Sequence, residues 1–176
     1  MVLFIAGAAQ ADDRLARSRA IAAEFQQTLG GELKAAMADG GPVRAIEVCA
    51  DVAPRIAARF SAETGADVGR TALRVRNPDN APDAGAQAVL EDFADRVAAG
   101  ATMPIEHFEP RTADGGMRYM SAIVLQPLCA TCHGATLAPA VAEAVAERYP
   151  HDAATGFEVG ELRGAFLIDW PAEPTP

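Results

Sequence analysis

Lysine is nearly absent from this chain. Its Lys and Arg total 15, only Lys34 is a lysine, and 24 acidic residues give a formal charge of −9. A chain this poor in cations, with no basic cluster, does not suit nucleic acid, whose phosphates need positive partners. Nor does it suit an anionic membrane surface. The scarcity of lysine itself reads as genome composition. Long apolar runs are missing too. The longest, MVLFIAGAAQA from Met1 to Ala11, falls short of the roughly 20 residues that cross a bilayer, so no integral span is expected. Cysteine and histidine number 3 each, so a site built from them draws on few candidates. Internal repeats and low-complexity linkers are absent.

What is present is globular. Half of the 176 residues are hydrophobic and 22% are charged, which makes one domain. A chain this long buries about two-thirds of its unfolded surface and folds without staples. The start looks like the end of a secretory signal. An apolar stretch leads to the small-x-small site Ala9-Gln10-Ala11, then to Asp12-Asp13. The positive segment that usually opens such a signal is missing. The expectation is a signal remnant over 1–11, cleavage after Ala11, and a single domain over 12–176 in the periplasm. The plainer reading is a frayed apolar end.

Periodicity predicts an α+β fold. Leu15, Ala22, Phe25, Leu29 and Leu33 mark a helix over Asp13–Asp39, weakened at Gly30-Gly31. Gly40-Gly41-Pro42 should break it, with Pro42 opening a second helix. Ile46, Cys49, Ala53, Ile56 and Phe60 then form one stripe, and Pro54 predicts a kink near Val52. A strand is expected over Asp67–Arg76, a loop over Asn77–Pro82, and a helix over residues 83–99. Strands Ile105–Glu109 and Met117–Leu125 follow, with Asp114-Gly115-Gly116 as a turn between them. A helix over 138–148 and a strand Leu162–Trp170 complete an antiparallel sheet with helices packed on it. Trp170 is read as core.

One motif carries chemistry. Cys129-Ala130-Thr131-Cys132-His133 is C-x-x-C-H, the attachment signature of c-type haem. Two thiols at this spacing reach the two vinyl groups on one porphyrin edge, and the next histidine is placed under the iron. Rival readings fit less well. A thioredoxin-like pair opens a helix after a buried parallel strand, and no βαβ unit is visible. A zinc site needs four ligands. A plain disulfide in an exported protein remains a further alternative.

Cys49 is then left over. Its place on the apolar stripe allows two readings: a buried small hydrophobe, or the sixth iron ligand opposite His133. Spacing does not choose between them. His107, His151, Met103, Met117 and Met120 compete for the same role. Arg70, Arg74 and Arg76 are read as sharing one strand face. That face is either solvated or supplies a partner for a haem propionate.

Several segments together resemble a known family. They are Ala45–Cys49 through Ala53-Pro54, Gly69-Arg70-Thr71, Arg76–Asp83, Met117–Met120 leading to Cys129–Gly134, Tyr149-Pro150 with Asp152 to Gly156, and Gly160–Phe166. In order and spacing they are similar to single-haem c-type domains with a PAS-like fold, found as small exported haem proteins and as sensor modules. The resemblance implies one covalent haem c, and His133 and Cys49 as its axial ligands. It also implies a PAS-like sheet with a helical N-terminal extension.

Two functions are compatible with such a chain. The first is an electron carrier or redox-responsive cytochrome, because two protein ligands leave the iron no open face for catalysis. The second is a gas or redox sensor. With no output domain visible, it would signal through a separate partner protein.

Overall fold

The computed structural model describes residues 4–110 and 116–172, with residues 4–9 as backbone only. The expected turn at Asp114-Gly115 lies outside the described residues, as do residues 1–3 of the expected signal remnant.

The chain opens with a long helix, α1 (Phe4–Glu47). Its many alanines favour helix, enough to carry it through Gly30-Gly31. The expected break is present as a kink at Gly41, where φ is 71°, a backbone state that glycine enters without a Cβ penalty. A π-helical turn, Val48–Val52, follows, and α2 (Ala53–Thr64) continues from it. The kink expected from Pro54 takes this form. Proline brings no N–H to the ladder, and the wide turn closes with the Ala53 N–H donating to the Val48 carbonyl.

That turn divides the stripe. Ile46 packs with Val141 and Val145, whereas Ile56 and Phe60 pack with Phe25, Val68 and Phe166. The residues read as one face therefore divide: Ile46 serves one core, and Ile56 and Phe60 another.

Four antiparallel strands make the sheet: β1 (Asp67–Thr71), β2 (Glu106–Pro110), β3 (Met117–Val124) and β4 (Leu162–Trp170), in the order β1-β4-β3-β2. Side chains alternate between its faces, as strand geometry requires. Tyr119, Phe166, Ile168 and Trp170 meet Ile21, Phe25 and Phe60 of α1 and α2 on one face. Met120, Ala122 and Ala165 meet Leu90 and Phe93 of α3 (Ala84–Ala98) on the other. Two short helices, α4 (Pro127–His133) and α5 (Pro139–Arg148), lie between β3 and β4 in sequence. The fold is α+β, with a helical N-terminal region on a four-stranded antiparallel sheet, an arrangement compatible with a PAS-like fold. No helix among the described residues is long and apolar enough to cross a membrane.

One expectation needs correction. The first strand ends at Thr71, paired with Ala165, and Arg74 and Arg76 lie in the bends beyond it. Arg70, Arg74 and Arg76 therefore do not share a strand face.

Two polar networks tie the layers together. Arg118 donates to Asp169 on the neighbouring strand at 2.7 and 2.8 Å and to Asp83 at 2.8 and 2.9 Å. Asp83 also caps α3 through the Ala86 N–H. Removing the guanidinium takes two charge-assisted hydrogen bonds from the buried Asp169 carboxylate and two from Asp83. Arg118→Ala should therefore lower the unfolding free energy by about 3–5 kcal/mol, read as a fall in the urea midpoint.

In the second network Arg19 of α1 and Tyr119 of β3 both donate to Glu106 of β2. Arg19's hydrogen bond is the chief cause holding the Glu106 carboxyl below its usual range. The folded state then binds a proton less readily than the unfolded chain. The stabilisation is present above pH 4.5 and is lost as pH falls through the lower folded value. Glu106→Gln should accordingly flatten the loss of stability below pH 4.5, measured by urea titrations at pH 3 to 6.

Candidate functional site

The C-x-x-C-H segment forms α4. Pro127 suits the first turn, where its missing N–H costs nothing. The helix stops at Gly134, whose N–H donates to the Ala130 carbonyl at 2.8 Å. A Cβ there would lie 2.5 Å from that same carbonyl oxygen, so the position needs glycine for close approach. The chain then runs beside residues 154–157. Gly156 donates to the Gly134 carbonyl at 2.9 Å, and Phe157 to the His133 carbonyl at 3.0 Å.

Arg76 fastens this assembly from the side. Its guanidinium pairs with Asp152 at 2.8 Å and donates to the Cys132 carbonyl at 2.7 Å. The imidazole of His133 is held by the same strip of chain, with Nδ1 2.6 Å from the Ala154 carbonyl oxygen. A carbonyl only accepts, so Nδ1 carries the proton and Nε2 keeps its lone pair, as a metal-binding histidine requires. Burial first, then the nearby Arg163 and Arg76, pushes the His133 pKa down to about 3, so the ring is neutral.

A cavity of about 620 Å³ opens beside α4, within the size range of small-molecule and cofactor sites. Cys129, Cys132 and His133 border it from α4, and Cys49 borders it from the π-helical turn. The three cysteines are free. Burial raises the pKa of the Cys49 thiol, opposed by the charges of Arg70 and Arg76. Burial also raises the pKa of the Cys132 thiol. The leucines of α1, Leu29 and Leu33, supply apolar wall. Two thiols at C-x-x-C spacing, one unprotonated imidazole nitrogen, one further thiol and an apolar chamber form a donor set that suits a porphyrin.

Most of the residues singled out in the sequence meet here. Cys49, Cys129, Cys132, His133, Arg70 and Arg76 all border the cavity. Arg74 does not. Its guanidinium lies 3.5 Å from the Phe157 ring centroid and donates to the Thr155 carbonyl. Among the rival ligands, Met103 is at the rim of the cavity, whereas His107, His151, Met117 and Met120 are outside it. Met120 is core beneath α3, and His107 lies 3.1 Å from Glu109.

Tyr149 and Arg163 also line the cavity, and the sequence reading gave neither a role of its own. Tyr149 lies beside Arg76, and Arg163 opens β4. Arg163 carried a usable signal: an arginine between Leu162 and Gly164 at the head of a largely apolar strand.

The profile of the family described as "Tll0287-like: Tll0287" matches residues 7–171. Among solved structures, the chain is similar to the crystal structure of the cyanobacterial heme-protein Tll0287. Identity is 26%, the TM-score is 0.72, and the match covers 93% of this chain and 98% of that one. No curated protein matches the sequence. The relative binds haem, in line with the kind of family that the sequence motifs resembled. With the match running over all four strands and the whole of the C-x-x-C-H site, the chain belongs to the Tll0287-like family.

Proposed function

We propose that this chain is an exported, periplasmic, single-haem c-type cytochrome acting in electron transfer or redox response. One observation carries the reading: Cys129, Cys132 and His133 of C-x-x-C-H and Cys49 border a single cavity, with the His133 Nδ1 held by the Ala154 carbonyl so that Nε2 keeps its lone pair. Similarity to a heme-protein over nearly the whole chain supports it.

Cys129 and Cys132 would hold the porphyrin through thioethers, and His133 and Cys49 would supply the axial ligands. When bound, the haem supplies a one-electron couple. The chain's own residues set its conditions. The Ala154 carbonyl fixes the tautomer of His133, and Arg76 with Asp152 holds the α4 backbone in place. With both axial positions taken by protein, the iron offers no face to a substrate, so the reading is of a non-enzyme. Such a role calls for a redox or signalling partner protein.

A second reading is a gas or redox sensor acting through a separate partner. Its support is the position of Cys49 on a π-helical turn, a local departure from helix geometry that recurs at functional sites. Release of that ligand on reduction would open the iron to a gas.

Visible spectra of the matured protein, ferric and ferrous, with and without CO, test both readings. A low-spin ferric spectrum with no CO adduct on reduction supports the carrier. CO binding on reduction supports the sensor. No Soret band after co-expression with the haem maturation system sinks both and leaves a non-haem disulfide protein.

A further inference from the structure

The charge around the cavity is opposite to that of the chain. Acidic residues outnumber basic ones by 24 to 15 overall, yet the described residues that border the cavity include no Asp or Glu and three arginines, Arg70, Arg76 and Arg163. The three are not equivalent. Arg76 is neutralised by Asp152 and spends its remaining bonds on the carbonyls of Cys132 and Ala154. Arg70 and Arg163 form no ion pair with a carboxylate among the described residues. The Arg70 guanidinium lies 5.6 Å from the Phe25 ring centroid. Arg163 donates one N–H to the backbone carbonyl of Arg74 at 3.2 Å, and its Nε is buried without a partner.

Two half-buried guanidiniums with no carboxylate in direct contact are costly unless an anion joins them, and for Arg163 the charge of Asp152 offsets this only in part. Burial, with Arg76 and Arg70 close by, pushes the Arg163 pKa down to about 10. Two such charges remain after Arg76 is discounted, and a haem carries two propionate carboxylates. The guanidinium fork matches a carboxylate in shape, with two parallel N–H donors.

We infer that Arg70 and Arg163 receive the two haem propionates and that Arg76 does not. Arg76 is a positioning residue for α4, and Arg74 is outside the site. The inference rests on the haem reading above and adds the orientation of the group: its carboxylate edge faces the β1 and β4 side of the cavity.

The test uses the matured, haem-loaded protein. A cation beside the haem favours the added electron of the ferrous state. Arg70→Gln and Arg163→Gln should each lower the reduced-to-oxidised ratio at fixed potential about tenfold, ~59 mV for a one-electron couple. The propionate bending band in resonance Raman should shift in the same variants. Arg163→Lys keeps the charge without the fork, so the ratio should hold within about twofold while the band still shifts. Arg74→Gln should move neither. Wild-type ratio and wild-type band in both Gln variants, with haem covalently attached, would overturn the inference. If the Gln variants lose haem, the band in Arg163→Lys decides: a shift supports the inference and an unchanged band overturns it. Failure of the wild-type chain to take up haem is a different result and sinks the underlying haem reading.

Discussion

Replacing both Cys129 and Cys132 by alanine should abolish covalent haem completely, seen as loss of the haem-stained band on a denaturing gel. The expected effect is all or none, because no other thiol stands at the spacing of the two vinyl groups. The structure makes the experiment clean. Cys132 packs at the edge of Ile46, Val141 and Val145, and Cys129 at the edge of Leu125, Ala154 and Phe157. Both are half-buried and neither forms a disulfide. Each truncation removes one sulfur from a cluster margin, at about 1 kcal/mol or less. The variant should fold, so loss of haem would report the chemistry. Haem retained on the denaturing gel would refute thioether attachment at this motif.

Cys49→Ala should leave the haem covalently attached and change its ferric spectrum from low-spin to high-spin or water-ligated. The thiol borders the cavity from a turn that no longer follows the helix around it. Burial disfavours its thiolate, so ionisation there needs the ferric iron's charge. Reduction removes one unit of that charge and loosens the hold. Cys49→Met should raise the midpoint potential, since a thioether favours the ferrous state. An unchanged ferric spectrum in Cys49→Ala would move the sixth ligand elsewhere. Met103 would be tested next, because it alone of the other candidates borders the cavity.

Local signals in the sequence carried over well. Strand β4 runs over Leu162–Trp170, the span its alternation predicts, and Asp83 starts α3 as a capping residue should. C-x-x-C-H is local too: the haem reading of it rests only on the spacing of three side chains. Effects decided by tertiary contacts were not legible. The stripe from Ile46 to Phe60 has one period in sequence, but a π-helical turn shifts its second half onto a different core. Arg76 alternates like a strand residue, yet β1 ends at Thr71, its last pair with β4, and the chain bends away from the sheet there. Its side chain then turns inward to Asp152, a residue 76 positions away. Arg163 stood out in sequence only as an arginine near the head of a strand; its meaning depends on the tertiary contacts around it.

The sites on α4 and the π-helical turn also have a topological consequence. Cys49 and His133 are far apart in sequence and border one chamber. A single iron bound by both would close a loop of about 84 residues, acting as a cross-link in the sense that a disulfide does. Loop-closure entropy for that length is about 4–5 kcal/mol taken from the unfolded chain. Almost none of it comes from the two thioethers, which close a loop of only a few residues. The tether that attaches the group and the tether that stabilises the fold would thus be different bonds, and the second is the one that reduction weakens.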